Sequence, residues 1–281
     1  MSGNRLKELL ASRKTLVFPG TYNPFTAKLV EQASYDGVYL SGAALSNSLG
    51  VPDDGTLKLA DFAYAAKKTC GAVGVPVICD ADTGFDDLEE TIRTYAGCGV
   101  AGIQLEDQQF PKRCGHLPGK EVVSCDEMVA KIRQAHRIRQ ALNLDILLIA
   151  RTDARGAANV EEKDQLKESI ERGKAYRVAG ADLIFAESLR DRGEFQEYRN
   201  RVDGWLLANM TEFGKTPLIS WREFEKIGFN IVIFPVTLFR LAAGRMARAL
   251  EVLRKDGHQG TLLPEMMSRD EINRLLNYQP K

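Results

Sequence analysis

Eight short, nearly uninterrupted apolar runs recur along this chain, and they narrow its fold more than any other feature. They read TLVFPG from Thr15, GVYLSG from Gly37, VPVICDAD from Val75, VAGIQLED from Val100, DILLIARTDA from Asp145, ADLIFAES from Ala181, WLLANMTE from Trp205 and NIVIFPVT from Asn230. A strand wetted on one face alternates apolar and polar residues, whereas a parallel strand covered on both faces stays apolar along its length. Between the runs lie amphipathic segments with helical spacing, such as Leu88-Ile92-Tyr95-Ala96 and Met128-Ile132-Ala135-Ile138. A third, Leu166-Ile170-Tyr176-Ala179, stops at Gly180, a helix terminator. Eight β units, each followed by a helix, predict a (β/α)8 barrel of the TIM type, a fold of about 250 residues. The 281 residues then form a single domain, 1–281. The competing doubly wound sheet expects a glycine-rich turn after its first strand, and Thr21-Tyr22-Asn23-Pro24-Phe25 stands there instead. The tail, about 268–281, reads as an additional C-terminal helix that docks on a neighbouring subunit.

Lys and Arg number 38 and Asp and Glu 38, so the formal net charge is zero. Such a chain has no long-range attraction for polyphosphate or an anionic membrane surface, which argues against nucleic-acid and membrane partners. No apolar run reaches the roughly 18 residues of a membrane span. The opening, MSGNRLKELLASRKTL, has no apolar signal core. The five cysteines are odd in number and none are paired at C-x-x-C spacing, which suits a reducing, cytoplasmic setting.

The runs turn polar at their C-terminal ends, at Ser41, Asp80, Asp82, Glu106, Asp107, Arg151, Asp153, Glu187, Asn209, Thr211 and Glu212. In a barrel these ends converge on one mouth, the face that carries chemistry. Asp and Ser there can also cap the following helices, but so many carboxylates in one place need a compensating cation. Asp80-Ala81-Asp82 is the sharpest pair: strand alternation puts both side chains on one face, about 6.5–7 Å apart at Cα. That arrangement offers oxygen ligands to Mg²⁺ (or Mn²⁺), with Glu106 and Asp53 able to complete the shell. Only three histidines exist, none clustered, which disfavours zinc.

Lys112-Arg113-Cys114-Gly115-His116 falls in a connection of about 20 residues after the fourth run, long enough for a binding loop or lid. A thiol among Lys, Arg and His becomes a tunable proton donor. Arg151, Arg240 and Arg269 offer planar forks for substrate carboxylates. Two tempting patterns fail. Gly214-Lys215-Thr216 lacks the earlier glycine of a phosphate-binding loop, and no lysine ends a strand run, which disfavours a Schiff-base aldolase.

The KRCGH box at Lys112–His116, preceded by Gln104-Leu105-Glu106-Asp107-Gln108, resembles the signature of the isocitrate lyase/phosphoenolpyruvate mutase superfamily. The blocks YLSGA, SLGVPD, CDADTGF, IARTDA and NMTEFGKTP resemble its methylisocitrate lyase branch, over about Phe18 to Tyr278. The resemblance implies a Mg²⁺-dependent carbon–carbon lyase that cleaves 2-methylisocitrate to pyruvate and succinate, a step of the methylcitrate cycle of propionate catabolism. The alternative it leaves is an isocitrate lyase or a related oxo-acid lyase or decarboxylase. It implies further that Ser41, Gly42 and Ala43 hold the oxo-acid end, with Tyr39 nearby, and that Asp80, Asp82, Asp53 and Glu106 hold the metal. Cys114 would be the proton donor, within a catalytic set that includes Lys112, Arg113, His116 and Tyr39. Gly115, Arg151, Glu187, Asn209, Thr211, Arg240 and Arg269 would complete the substrate contacts. Phe185, Ile233 and Pro235 occupy wall positions that leave room for the methyl group. The family is typically a homotetramer exchanging a C-terminal helix between subunits. Two departures stand out: Ala43 where relatives often carry Gly, and Asp54 beside Asp53.

Overall fold

All eight runs form strands, paired in parallel and in chain order, with the last returning to the first to close a barrel. The computed structural model describes residues 3–12, 15–110, 112, 115 and 119–279. The chain opens with helix α1 (Gly3–Ala11), then β1 (Leu16–Thr21), α2 (Pro24–Gln32), β2 (Val38–Leu40), α3 (Gly42–Ser48) and α4 (Leu59–Cys70). Next come β3 (Val77–Asp80), α5 (Leu88–Gly97), β4 (Gly102–Glu106), α6 (Cys125–Ala141), β5 (Leu147–Thr152), α7 (Gln165–Ala179) and β6 (Leu183–Ala186). It ends with α8 (Arg192–Arg201), β7 (Trp205–Asn209), α9 (Trp221–Ile227), β8 (Ile231–Phe234), α10 (Thr237–Asp256), a 3-10 turn at Gly260–Glu265, and α11 (Arg269–Leu275).

Within each apolar run, alternate residues go to different cores. Phe18, Tyr39, Ile78, Ile149, Phe185, Leu207 and Ile233 fill the barrel's interior. Val38, Cys79, Ile103, Leu148, Ile184, Leu206 and Val232 pack outward under the helices. Both faces are apolar, which is why the runs read as continuous. The N-terminal helix α1 sends Leu6 and Leu10, both fully buried, into the interior cluster beside Leu16, Leu147 and Leu183, plugging the end opposite the mouth.

The helix signals behave as their chemistry dictates. Gly180 caps α7 in the left-handed conformation at φ +113°, and Ser268 with Glu271 forms a capping box that starts the predicted C-terminal helix. The spacing Gly97-Cys98-Gly99-Val100-Ala101-Gly102 matches a dinucleotide fingerprint by letter, yet it ends a helix and enters a strand. That is the reverse of the order phosphate binding needs. No helix among the described residues is long and apolar enough to cross a membrane, and Cys70, Cys79, Cys98 and Cys125 are free thiols.

Candidate active site at the barrel mouth

Interior alternation carries the polar residues into the mouth. Above Ile78 comes Asp80, above Gln104 comes Glu106, above Ile149 comes Arg151, above Phe185 comes Glu187, and above Leu207 comes Asn209. These five residues line one cavity together with Tyr39, Ser41, Ala43, Asp53, Lys112, Gly115, Thr211 and Arg240. Ser41 also caps α3, its Oγ accepting the Ala44 N–H at 3.2 Å, so the capping and site readings of this residue both hold. Arg269 begins α11 as an exposed residue and is not among those lining the cavity. Arg113, Cys114 and His116 lie outside the described residues.

One expectation is corrected. Asp80 and Asp82 do not share a face by strand alternation, because β3 ends at Asp80. Asp82 instead occupies the left-handed region at φ +46°, and its N–H donates to Asp80 Oδ1 at 3.1 Å. A tight turn, and not a pleat, brings the two carboxyls together. A non-glycine residue in that conformation costs about 1–3 kcal/mol and persists where surrounding structure demands it.

The connection from β4 to α6 starts as an antiparallel ribbon in which Gln108 bridges Val122, the Gln109 N–H donates to Glu121 O, and the Val123 N–H donates to Asp107 O, both at 2.9 Å. From this base the described part of the loop reaches over the mouth. Lys112 Nζ lies 2.7 Å from Asp53 Oδ1 and 2.5 Å from Asp82 Oδ1. Gly115 lies so close to the floor that a Cβ there would stand 2.3 Å from Arg151 Nη2 and 2.7 Å from Glu187 Cγ. The Ser188 hydroxyl donates to the Gly115 carbonyl at 2.9 Å.

Beneath, a charge network orders the floor. Arg151 donates from Nε and Nη2 to the two oxygens of Asp153, at 2.8 and 3.0 Å, and reaches Glu106 at 3.3 Å and Glu187 at 3.5 Å. Asp153 also takes Lys120 Nζ at 2.9 Å. Burial opposes the Asp153 charge, but Arg151 and Lys120 outweigh it and hold the carboxyl below its ordinary range. Asp80, Asp82 and Glu106 go the other way: burial is the chief cause and lifts all three, Asp82 to about 7. Burial likewise holds the Tyr39 phenol neutral; it donates to Gln104 Oε1 at 2.6 Å, which makes it a poor base.

Gln104 escaped the sequence reading as a site residue. It ties Tyr39 to Asp80, its Nε2 donating to Asp80 Oδ1 at 3.3 Å. The signal was present, since an amide inside an apolar run, two residues before an inward Glu, must itself point inward. Asp107 points the other way, under α7, where its Oδ2 accepts from Arg172 Nη1 at 3.1 Å and from Tyr176 OH at 2.7 Å.

The phosphoenolpyruvate phosphomutase family model matches residues 6–254. A 2-methylisocitrate lyase of Aeropyrum pernix is 44% identical over 276 residues, spanning 97% of this chain and 86% of its own length. The chain belongs to the phosphoenolpyruvate mutase/isocitrate lyase superfamily. Within it, a crystal structure of 2,3-dimethylmalate lyase superposes with a TM-score of 0.90 at 35% identity, covering 98% of this chain and 92% of that one. A phosphonopyruvate hydrolase solved with oxalate and Mg²⁺ gives 0.85 at 27%, covering 99% and 95%.

The superfamily membership sets a test of the donor set. Six carboxyls gather at this mouth, those of Asp53, Asp80, Asp82, Glu106, Asp153 and Glu187, against four cations, Lys112, Lys120, Arg151 and Arg240. Glu106 Oε1 is buried with no hydrogen-bond partner. Hard oxygen donors in excess of positive charge fit a divalent cation such as Mg²⁺. Among the described residues no three such groups already surround a common point; the Lys112 ammonium stands between two of the carboxylates instead.

Proposed function

We propose that this protein is a Mg²⁺-dependent lyase that cleaves 2-methylisocitrate to pyruvate and succinate. The observation that carries the reading is the buried carboxylate excess at the mouth, with Glu106 Oε1 unpartnered, in a chain 44% identical to a 2-methylisocitrate lyase. A tricarboxylate cannot approach six carboxylates unless more positive charge accompanies it. Asp80, Asp82, Asp53 and Glu106 would hold the ion, with Lys112 giving up its place between Asp53 and Asp82. The ion supplies Lewis-acid polarisation of the substrate's hydroxyl and oxo-acid oxygens.

The chain's own residues do the rest. In an eight-stranded barrel β3 and β4 lie across from β7 and β8, so the substrate spans two unlike poles. At the acidic pole, Ser41, Gly42 and Ala43 receive the pyruvate half. Gly42 has no room for a side chain, since a Cβ would lie 2.7 Å from Asp80 Oδ2. At the other pole, Asn209, Thr211 and Arg240 take the succinate half. Arg151, fixed by Asp153, faces the charge that develops as the carbon–carbon bond breaks. Glu187 is oriented by Asn209 Nδ2 at 3.0 Å and by the Ser188 N–H at 2.7 Å. As the carbon–carbon bond breaks, Glu187 takes the substrate's hydroxyl proton and the hydroxyl carbon becomes the carbonyl of pyruvate. Gly115 brings the loop against this floor, and Cys114 in the same loop gives its proton to the carbanion left on the succinate half, assisted by Lys112, Arg113 and His116. A closed loop also keeps water from the intermediate.

The same reading places the protein in the cytoplasm, in propionate catabolism, as a single-domain barrel that assembles into a homotetramer with exchanged C-terminal helices. Arg269, remote from the cavity of its own chain, would serve a neighbouring site. The deciding assay supplies Mg²⁺ with 2-methylisocitrate, isocitrate or 2,3-dimethylmalate and identifies the products. Pyruvate and succinate from the first, faster than turnover of the other two, support the reading; a preference for isocitrate or dimethylmalate replaces it.

A further inference from the structure

Arg240, in the first turn of α10, is bound on one side only. Its Nη1 donates to Thr211 Oγ1 at 3.2 Å, to the Glu212 carbonyl at 2.5 Å and to Glu212 Oε2 at 3.2 Å. The guanidinium also lies over the Phe213 ring, 5.6 Å from its centroid, within cation–π range. Three consecutive residues thus hold one nitrogen and one face of the same fork. The opposite edge, Nε and Nη2, makes no hydrogen bond among the described residues, and the side chain lines the mouth cavity.

Two costs mark this as a built feature. Phe213 is 96% exposed and sits in the left-handed region at φ +60°, an expensive conformation for an aromatic residue whose ring gains nothing from burial. Glu212 is itself pinned, its Oε1 accepting the Thr237 hydroxyl. A planar fork with one nitrogen and one face fixed has its remaining edge pre-aimed, and that edge matches a carboxylate with two parallel hydrogen bonds.

We propose that Glu212 is a positioning residue for substrate binding. It acts through Arg240, holding the guanidinium by Nη1 so that the Nε–Nη2 edge receives a carboxylate of the succinate half. The inference rests on the function proposed above for this mouth. Glu212 touches no substrate atom, so its loss weakens binding of the four-carbon half without altering the bond-breaking step.

The test compares wild type with Glu212→Gln, Thr237→Val, Arg240→Met and the double variant Glu212→Gln/Arg240→Met. It reads steady-state kinetics on 2-methylisocitrate and the dissociation constant of succinate by calorimetry. Glu212→Gln and Thr237→Val are expected to raise KM and the succinate dissociation constant about tenfold, with kcat within about twofold. In the Arg240→Met background Glu212→Gln should add nothing, because residues acting through one contact are not additive. Unchanged KM and succinate affinity in Glu212→Gln overturn the inference, and so does an equal loss in the Arg240→Met background. If wild type binds succinate but does not cleave 2-methylisocitrate, the proposed function fails while the succinate series still decides the role of Glu212. If wild type cleaves 2-methylisocitrate without measurable succinate binding, the proposed function stands and KM decides the role of Glu212, an unchanged KM in Glu212→Gln overturning the inference.

Discussion

At Gly115 a single methyl group decides whether the loop can lie on the floor of the mouth. A Cβ would meet Arg151 Nη2, Glu187 Cγ and Asp153 Oδ1 at 2.3, 2.7 and 2.9 Å, so Gly115→Ala must lift the loop or displace Arg151. A misplacement of about 1 Å costs on the order of 100-fold in rate. The variant should therefore lose roughly that factor in kcat/KM while keeping its melting temperature, because the loop tip carries none of the barrel core; a normal rate would show that the closed loop is not the reactive state. The acidic cluster makes a second prediction. An unfolded Asp titrates near 4, whereas Asp82 in the fold titrates at about 7, and Asp80 and Glu106 are raised as well. Between about pH 4 and 7 the folded, cation-free site binds more protons than the unfolded chain, so its stability contribution falls as pH rises through that window. Asp153, held low, acts in the opposite sense only below about pH 4. Mg²⁺ replaces those protons, so its stabilisation in thermal melts should be larger at pH 8 than at pH 5.5. An equal or larger shift at the lower pH would contradict the assignment of these carboxylates to the ion.

At the scale of elements, the loop base and α7 share one buried anchor. Asp107 receives Arg172 and Tyr176 from α7 and also takes the Asp153 N–H on Oδ1 at 2.8 Å. Removing it with Asp107→Ala leaves Arg172 with Glu168 as its remaining carboxylate partner at 2.8 Å and takes their acceptor from the Tyr176 hydroxyl and the Asp153 N–H, a loss of about 1–3 kcal/mol, which urea unfolding measures directly. Less than about 1 kcal/mol would mean that the anchor is dispensable. The strands were legible because a doubly buried strand announces itself as an apolar run, and Gly180 and Ser268 were legible because caps are chosen locally. Helix α1 was missed: Leu6 and Leu10 are ordinary residues in a charged segment, and only the open end of a barrel gives them something to plug. The turn at Asp82 was missed for a similar reason, since D-A-D reads equally as a pleat, and it is Gln104, Glu106 and Lys112, from other elements, that fix it otherwise. Single residues at the ends of the runs pointed to the cavity at the mouth; of the partners that orient them, Gln104 could be read from its inward register, whereas Lys120, which holds Asp153, comes from a distant position and left no local trace.

At the scale of the whole molecule, the barrel wall carries a feature and its complement that do not meet. None of the 20 residues of α10 is buried. Leu241, Met246, Leu250 and Leu253 are 60, 58, 66 and 42% exposed, the last three at helical spacing on one side. At the seam between β8 and β1, Val17, Pro19, Val30, Trp221 and Phe234 line an apolar groove whose rim ends at Thr237 and Leu238, the first turn of that same helix. In the assembly proposed above, two copies exchanging helices across a two-fold axis would set such an apolar stripe against such a groove. Each large side chain so covered would contribute roughly 1.5–3 kcal/mol. Sedimentation of the wild type should give a tetramer, a pair of such exchanged dimers. On the proposed assembly, Met246→Glu with Leu250→Glu puts charge into both copies of the contact and should yield smaller species with reduced activity, because Arg269 would then no longer reach a neighbouring mouth. Retained tetramer in that double variant would separate the exposed stripe from assembly, and full activity in a monomer would show that each barrel works alone.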